Sequence, residues 1–308
     1  MPPSATWKHA TTAYVATISA WLLYAVLSLA SPTPTAQAAY HITGPQVFAL
    51  QLTIAVPLLI IWLVALRSAI GAKDYVQAIH GGPEAAALNL IANGLFFMAA
   101  YVVVIGLLSA ITPYLVHSPA LATMVTLRNH LPLVISLVGF GLLYHGSQRL
   151  KAAANFTTWT PLTGWLFAGL CLFAAGFTWL FTVTPAGSDS RGIPNYSLPR
   201  ATLLVTMVLP YFIAWFLGLL ASRNIARYSS QVKGIIYRLA LRDVARGLVL
   251  IIVMGMLFQL LNLAMRLLLG LRLGAILLIL YALLILYGSG FWLVRAGFKK
   301  LLRLEVTQ

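Results

Sequence analysis

Apolar residues fall in long runs along this chain, and polar residues fall in short breaks between them. A run of about 20 apolar residues crosses the hydrocarbon core of a bilayer as a helix. Eight runs reach that length, over 10–30, 45–66, 86–111, 131–148, 162–183, 200–221, 247–268 and 274–294. Inside lipid the backbone must satisfy its own hydrogen bonds, so each run is read as a helix. The pattern predicts an all-α polytopic bundle with eight transmembrane helices.

Composition agrees. Of 308 residues, 61% are hydrophobic and 8% charged, and the mean hydropathy is +0.91. A soluble domain carries roughly 25% charged residues to cover its surface, which excludes that class here. A net charge of +15 and a pI near 10.3 would suit nucleic acid. The cations, however, cluster between the apolar runs, as they do in loops at a membrane surface, so no nucleic-acid partner is expected. With the N-terminus inside, 15 of the 20 Lys and Arg residues fall on the inner side and five on the outer. That asymmetry predicts a multi-pass plasma-membrane protein with both termini cytoplasmic. The triplet Ala36-Gln37-Ala38 resembles a signal-peptidase site. The run before it is longer than a usual signal core, so it is read as a retained helix. Cys171 lies inside an apolar run and is read as a packing residue.

One unusual helix is written twice. "LTIAVPLLIIW" (52–62) returns as "VTMVLPYFIAW" (205–215), a shift of 153 residues. Thr53 meets Thr206, Pro57 meets Pro210, Ile60 meets Ile213 and Trp62 meets Trp215. The register continues through Tyr75 and Tyr228, Gly81 and Gly234, and Gly94 and Gly247. Pro, Trp, Tyr and Gly in one fixed register seldom coincide by accident. The chain is therefore read as two units, 1–153 and 154–308, each a four-helix membrane repeat. An even number of helices makes the repeats parallel, related by an axis along the membrane normal. In each copy the proline removes a backbone donor and frees a carbonyl near Thr53 or Thr206. Pro57, Pro210, Trp62 and Trp215 are thus a structural kink packed by an aromatic ring or, alternatively, a gating hinge.

The kinked Pro-x-x-Ile-x-Trp helix is followed by a basic linker and a helix that starts inside it. In the second copy this reads "LPYFIAWFLGLLASRNIARYSSQVKGIIYRLALRDVARGLVLI". It resembles a four-helix integral-membrane domain of unknown function found in candidate-phyla bacteria. The first copy, "RSAIGAKDYVQAIHGGPEAAALNLIANGLFFM", departs from it by losing most of the arginines. The resemblance implies a bacterial inner-membrane location and a four-helix unit, and it brings no activity.

Few polar groups are placed for chemistry. Asp74, Glu84, Asp189, Asp243 and Glu305 all fall in loops or at span ends, whereas cation-coupled transporters usually bury a carboxylate at depth. Asn89 and Asn93 stand four apart on one helix face, opposite Arg242 and Arg246 in the second copy. Arg238, Arg242 and Arg246 form a stripe that would attract anionic lipid headgroups, at about 1 kcal/mol per basic residue, unless it reflects inner-side charge bias alone. Gln259 and Asn262 share a face and are read as interhelical glue, on the order of 1 kcal/mol, or as a solute-lining surface. His130 and His145, with His41, His80 and His117, give a superficial likeness to transmembrane haem ligation, but the second copy has no histidine. No metal site, cofactor or catalytic motif is expected. Three classes follow in order: a non-catalytic scaffold, sensor or subunit, with a protein partner or a second copy; a transporter or channel for a small neutral or lipid-like solute; and a membrane redox protein.

Overall fold

Helices form where the apolar runs lie, and at one end of the bundle they continue past them. The computed structural model describes residues 5–30, 44–79, 81–115, 118–153, 169, 199–232, 234–264 and 273–306. Among these there are seven helices and no strand. They are α1 (Ala5–Ala30), α2 (Gly44–Ala78), α3 (Pro83–Ile111), α4 (Leu121–Ala153), α5, α6 (Ile235–Ala264) and α7 (Leu273–Val306). Helix α5 joins Arg200–Leu203, a π turn over Leu204–Val208 and Leu209–Gln231. The expected span 162–183 lies, Gly169 aside, outside the described residues. Six helices, α1 to α5 and α7, are long and apolar enough to cross a membrane, the mark of a multi-pass membrane protein. Helix α6 carries Arg238, Arg242, Asp243 and Arg246 ahead of its apolar stretch.

Helices α2, α4 and α7 have 35, 33 and 34 residues. At the usual rise they are about 50 Å long, well beyond the ~30 Å hydrocarbon core. Much of the excess collects at the basic end, where α2, α4, α5 and α7 finish. It stays helical because one face remains packed. Ser68, Ala69, Ala72 and Tyr75 are buried on α2, and Ser222, Asn224, Ile225, Tyr228 and Ser229 on α5. The stretch around 222–246 is therefore not the long linker that hydropathy suggests. It is mostly the end of α5, which runs to Gln231, and the start of α6 at Ile235. Asp74 and Asp243, expected in loops or at span ends, likewise lie within helices. The turns at this end use Gly81, Gly82 and Gly234 at φ 76°, 96° and 103°, a left-handed conformation natural to glycine.

Packing is closest between α3 and α4 and between α6 and α7. A Cβ placed on Gly94 would lie 2.7 Å from the Gly139 carbonyl oxygen, and one on Gly146 would lie 2.6 Å from that of Ala87. In the second pair, a Cβ on Gly247 would lie 2.5 Å from the Gly290 oxygen, and one on Gly297 would lie 2.5 Å from that of Ala240. Small residues at these crossings let backbones touch, which is how membrane helices associate without a hydrophobic driving force between them. Around these pairs, α2 packs on α3 and α7, α5 packs on α6 and α4, and α1 lies against α2 and α3. The buried apolar side chains of α2 to α7 form one continuous core that includes Trp62, Tyr75, Phe291 and Phe298.

Candidate functional site

Where the helices outrun the apolar span, polar side chains tie them together. Lys73 Nζ donates to Asn89 Oδ1 at 2.6 Å, joining α2 to α3. Buried Asn224 donates to Ser147 Oγ at 3.1 Å, joining α5 to α4. Ser222 donates to the Ala245 carbonyl, joining α5 to α6. Lys300 and Asp243 make an ion pair at 2.5 Å between α7 and α6. Two tyrosine bonds cross between the halves of the chain, as the Asn224–Ser147 bond does. Tyr75 OH donates to Tyr237 OH at 3.2 Å, from α2 to α6. Tyr228 OH donates to Glu84 Oε1, from α5 to α3.

Beside this layer a cleft of about 450 Å³ opens between α1, α2 and α7. It is lined by Ala10, Thr11 and Tyr14 of α1, by Arg67, Ile70, Gly71 and Asp74 of α2, and by Arg295, Lys299 and Leu302 of α7. Three cations thus face one carboxylate. The Lys300–Asp243 ion pair lies outside the cleft. The Arg295 guanidinium stands 5.1 Å from the Trp292 ring centroid, a cation–π contact. Arg67 and Lys299 are exposed.

The residues singled out by sequence do not converge on this cleft. Trp62 is 1% exposed and sits against Tyr24, with ring centroids 5.7 Å apart. Trp215 is buried between Tyr211 and Phe212, at 5.6 and 5.4 Å. Both tryptophans are core residues. Pro57 lies inside an uninterrupted α2, whereas Pro210 follows the π turn. There the Leu209 N–H reaches the Leu204 carbonyl, so the missing donor of Pro210 is absorbed by one wide turn. The Thr206 hydroxyl donates back to the Thr202 carbonyl at 2.8 Å. Asn89 and Asn93 are half-buried on α3. Arg242 and Arg246 are exposed on α6 and Arg238 is half-buried, while the neighbouring Asp243 turns to α7. Gln259 and Asn262 lie on α6, but their side chains fall outside the described residues.

Histidine chemistry gains no support from the geometry. His130 Nδ1 donates to the Thr126 carbonyl at 2.9 Å, and its Nε2 lies 3.2 Å from the Thr206 hydroxyl. His145 is exposed. His41, His80 and His117 lie outside the described residues. Among the described residues no group of three or more His, Cys, Asp or Glu side chains is placed to hold a metal ion. The cleft and the crossing tyrosines escaped sequence reasoning, although Tyr75 and Tyr228 share the 153-residue register. Compared with known proteins, the chain matches no family model, no curated protein and no solved structure.

Proposed function

We propose that this chain is a non-catalytic component of a membrane assembly, built as two parallel four-helix repeats with the basic end in the cytoplasm. The observation that carries the reading is the crosswise pair of tyrosine bonds. Around a twofold axis, a contact from one position to another recurs with the two halves exchanged. Tyr75 and Tyr228 are equivalent in the 153-residue register, and so are Glu84 and Tyr237. Tyr75 binds Tyr237, and Tyr228 binds Glu84. The packing of α4 on α5 and of α7 on α2 obeys the same exchange, and the glycine seams repeat it. The bacterial domain that the second copy resembles fits an inner-membrane location and adds no activity.

A continuous apolar core favours a scaffold or sensor over a conduit, because a conduit needs polar groups along its path. Native mass spectrometry after gentle extraction from the protein's own membrane tests the assembly reading. The expected result is one defined protein partner at fixed stoichiometry. Recovery of a lone chain under conditions that preserve known complexes of the same membrane would count against it.

The π turn before Pro210 favours a second reading, transport of a small neutral or lipid-like solute with Pro57 and Pro210 as hinges. On that reading, Pro57→Ala/Pro210→Ala alters flux of the solute while leaving the fold intact. Unchanged flux in a folded double variant would remove it.

A further inference from the structure

The cleft between α1, α2 and α7 is placed and charged unlike a general basic surface. Arg67 and Arg295 directly follow the apolar runs 45–66 and 274–294, and Thr11 and Tyr14 lie at the start of the run 10–30. The cavity therefore sits at headgroup depth, where the apolar span ends. Its polar lining is three cations, one carboxylate, a phenol and a hydroxyl. From Thr11, Arg67 and Lys299 toward the membrane centre, each helix continues as an exposed apolar stripe. The stripes are Val15, Ile18 and Leu22 on α1, Ile60, Val56 and Leu52 on α2, and Trp292, Ile285 and Leu278 on α7.

We propose that this cleft is a binding site for a phosphate-bearing headgroup, with Arg67, Arg295 and Lys299 as the phosphate ligands. Arginine presents a planar fork that matches phosphate oxygens two at a time, and lysine adds a mobile point charge. Asp74, the one carboxylate among these cations, takes a hydroxyl or ammonium carried on the same headgroup. A volume of about 450 Å³ lies within the usual range for small-molecule sites. The apolar stripes give acyl chains a surface to follow, which favours a membrane phospholipid over a soluble organophosphate.

The test uses the full chain in neutral detergent, titrated with phosphatidylglycerol and read by native mass spectrometry, with free glycerol 3-phosphate as competitor. Two double variants remove equal charge at the same end of the bundle: R67Q/K299Q in the cleft and R149Q/K151Q at the end of α4. The expected result is one retained lipid per chain, with affinity falling about tenfold or more in R67Q/K299Q. R149Q/K151Q should hold the lipid as the unmodified chain does. Competition by glycerol 3-phosphate at concentrations similar to the lipid would keep the phosphate site and assign it a soluble source. Failure to compete assigns it to lipid. Equal weakening in both variants, or no weakening in R67Q/K299Q, would overturn the proposal. Because both substitutions in the cleft replace exposed side chains, loss of fold is not the expected cause of any effect, and retained thermal stability checks this directly.

Discussion

Trp62→Ala is expected to destabilise the bundle by about 3–5 kcal/mol, the usual range for emptying a buried aromatic site. The indole is 1% exposed and shares the core with Tyr24. It also fits against a glycine made for it. A Cβ on Gly106 would lie 2.5 Å from Trp62 Cζ2. The neighbours cannot collapse easily into the void, because α2, α3 and α1 are held by other contacts along their length. Trp62→Phe should behave very differently. The Trp62 Nε1 atom is buried with no hydrogen-bond partner among the described residues, so phenylalanine removes an unsatisfied donor along with part of the ring. The two effects oppose each other, and a change below about 1.5 kcal/mol is expected. Reversible unfolding in detergent or bicelles measures both. Trp62→Ala leaving stability unchanged while altering a transport rate would restore the hinge role that the core position of this residue argues against.

How much of this was legible beforehand depends on what each sequence signal measures. Hydropathy located the helix ends away from the basic end well for most described helices, with α2, α5 and α7 starting at Gly44, Arg200 and Leu273 against expected starts of 45, 200 and 274. It missed the ends at the basic end of the bundle, because it reads where an apolar run stops and not where a helix stops. Helix α2 was expected to end near 66 and runs to Ala78. The signal for the extension was present as helical spacing, with small or aromatic residues at 68, 69, 72 and 75 turned to the core. The same blindness turned the end of α5 and the start of α6 into a supposed linker.

The proposed repeat register rests on proline, tryptophan and glycine, which are costly to place by chance in apolar helices. It brought Tyr75 and Tyr228 into view, yet nothing in one dimension says that Tyr75 reaches Tyr237 and Tyr228 reaches Glu84. Those contacts depend on how the halves are docked. The last helices also fall outside the 153-residue shift, since the glycine contacts match Gly139 to Gly290 and Gly146 to Gly297, a shift of 151. The cleft was illegible for a related reason. Arg67, Arg295 and Lys299 each satisfy the inner-side charge bias on their own, and only the meeting of α1, α2 and α7 turns three ordinary charges into one site.

The glycine seams give the other large expected effect and a direct test of the proposed duplication. Gly247→Val and Gly297→Val each place a Cβ 2.5 Å from a backbone oxygen of the opposing helix, closer than any relaxed contact allows. Backbone cannot step aside as a flexible side chain does, so α6 and α7 must separate along the whole seam. A loss of about 3 kcal/mol is expected for each, at the upper end of ordinary overpacking because the clash is with main chain. If the halves are copies of one unit, Gly94→Val and Gly146→Val should lose a similar amount at the α3–α4 seam. Gly141 on α4 and Gly255 on α6 supply the control, since a Cβ at either meets nothing within 4 Å. Alanine there should be neutral or stabilising by up to about 1 kcal/mol, as helix propensity alone would give. Unfolding free energies for the six variants settle the matter. Large losses at all four seam positions with none at the two controls would support equivalent seams in both halves. A seam that tolerates valine in one half only would show that the two four-helix units do not pack alike.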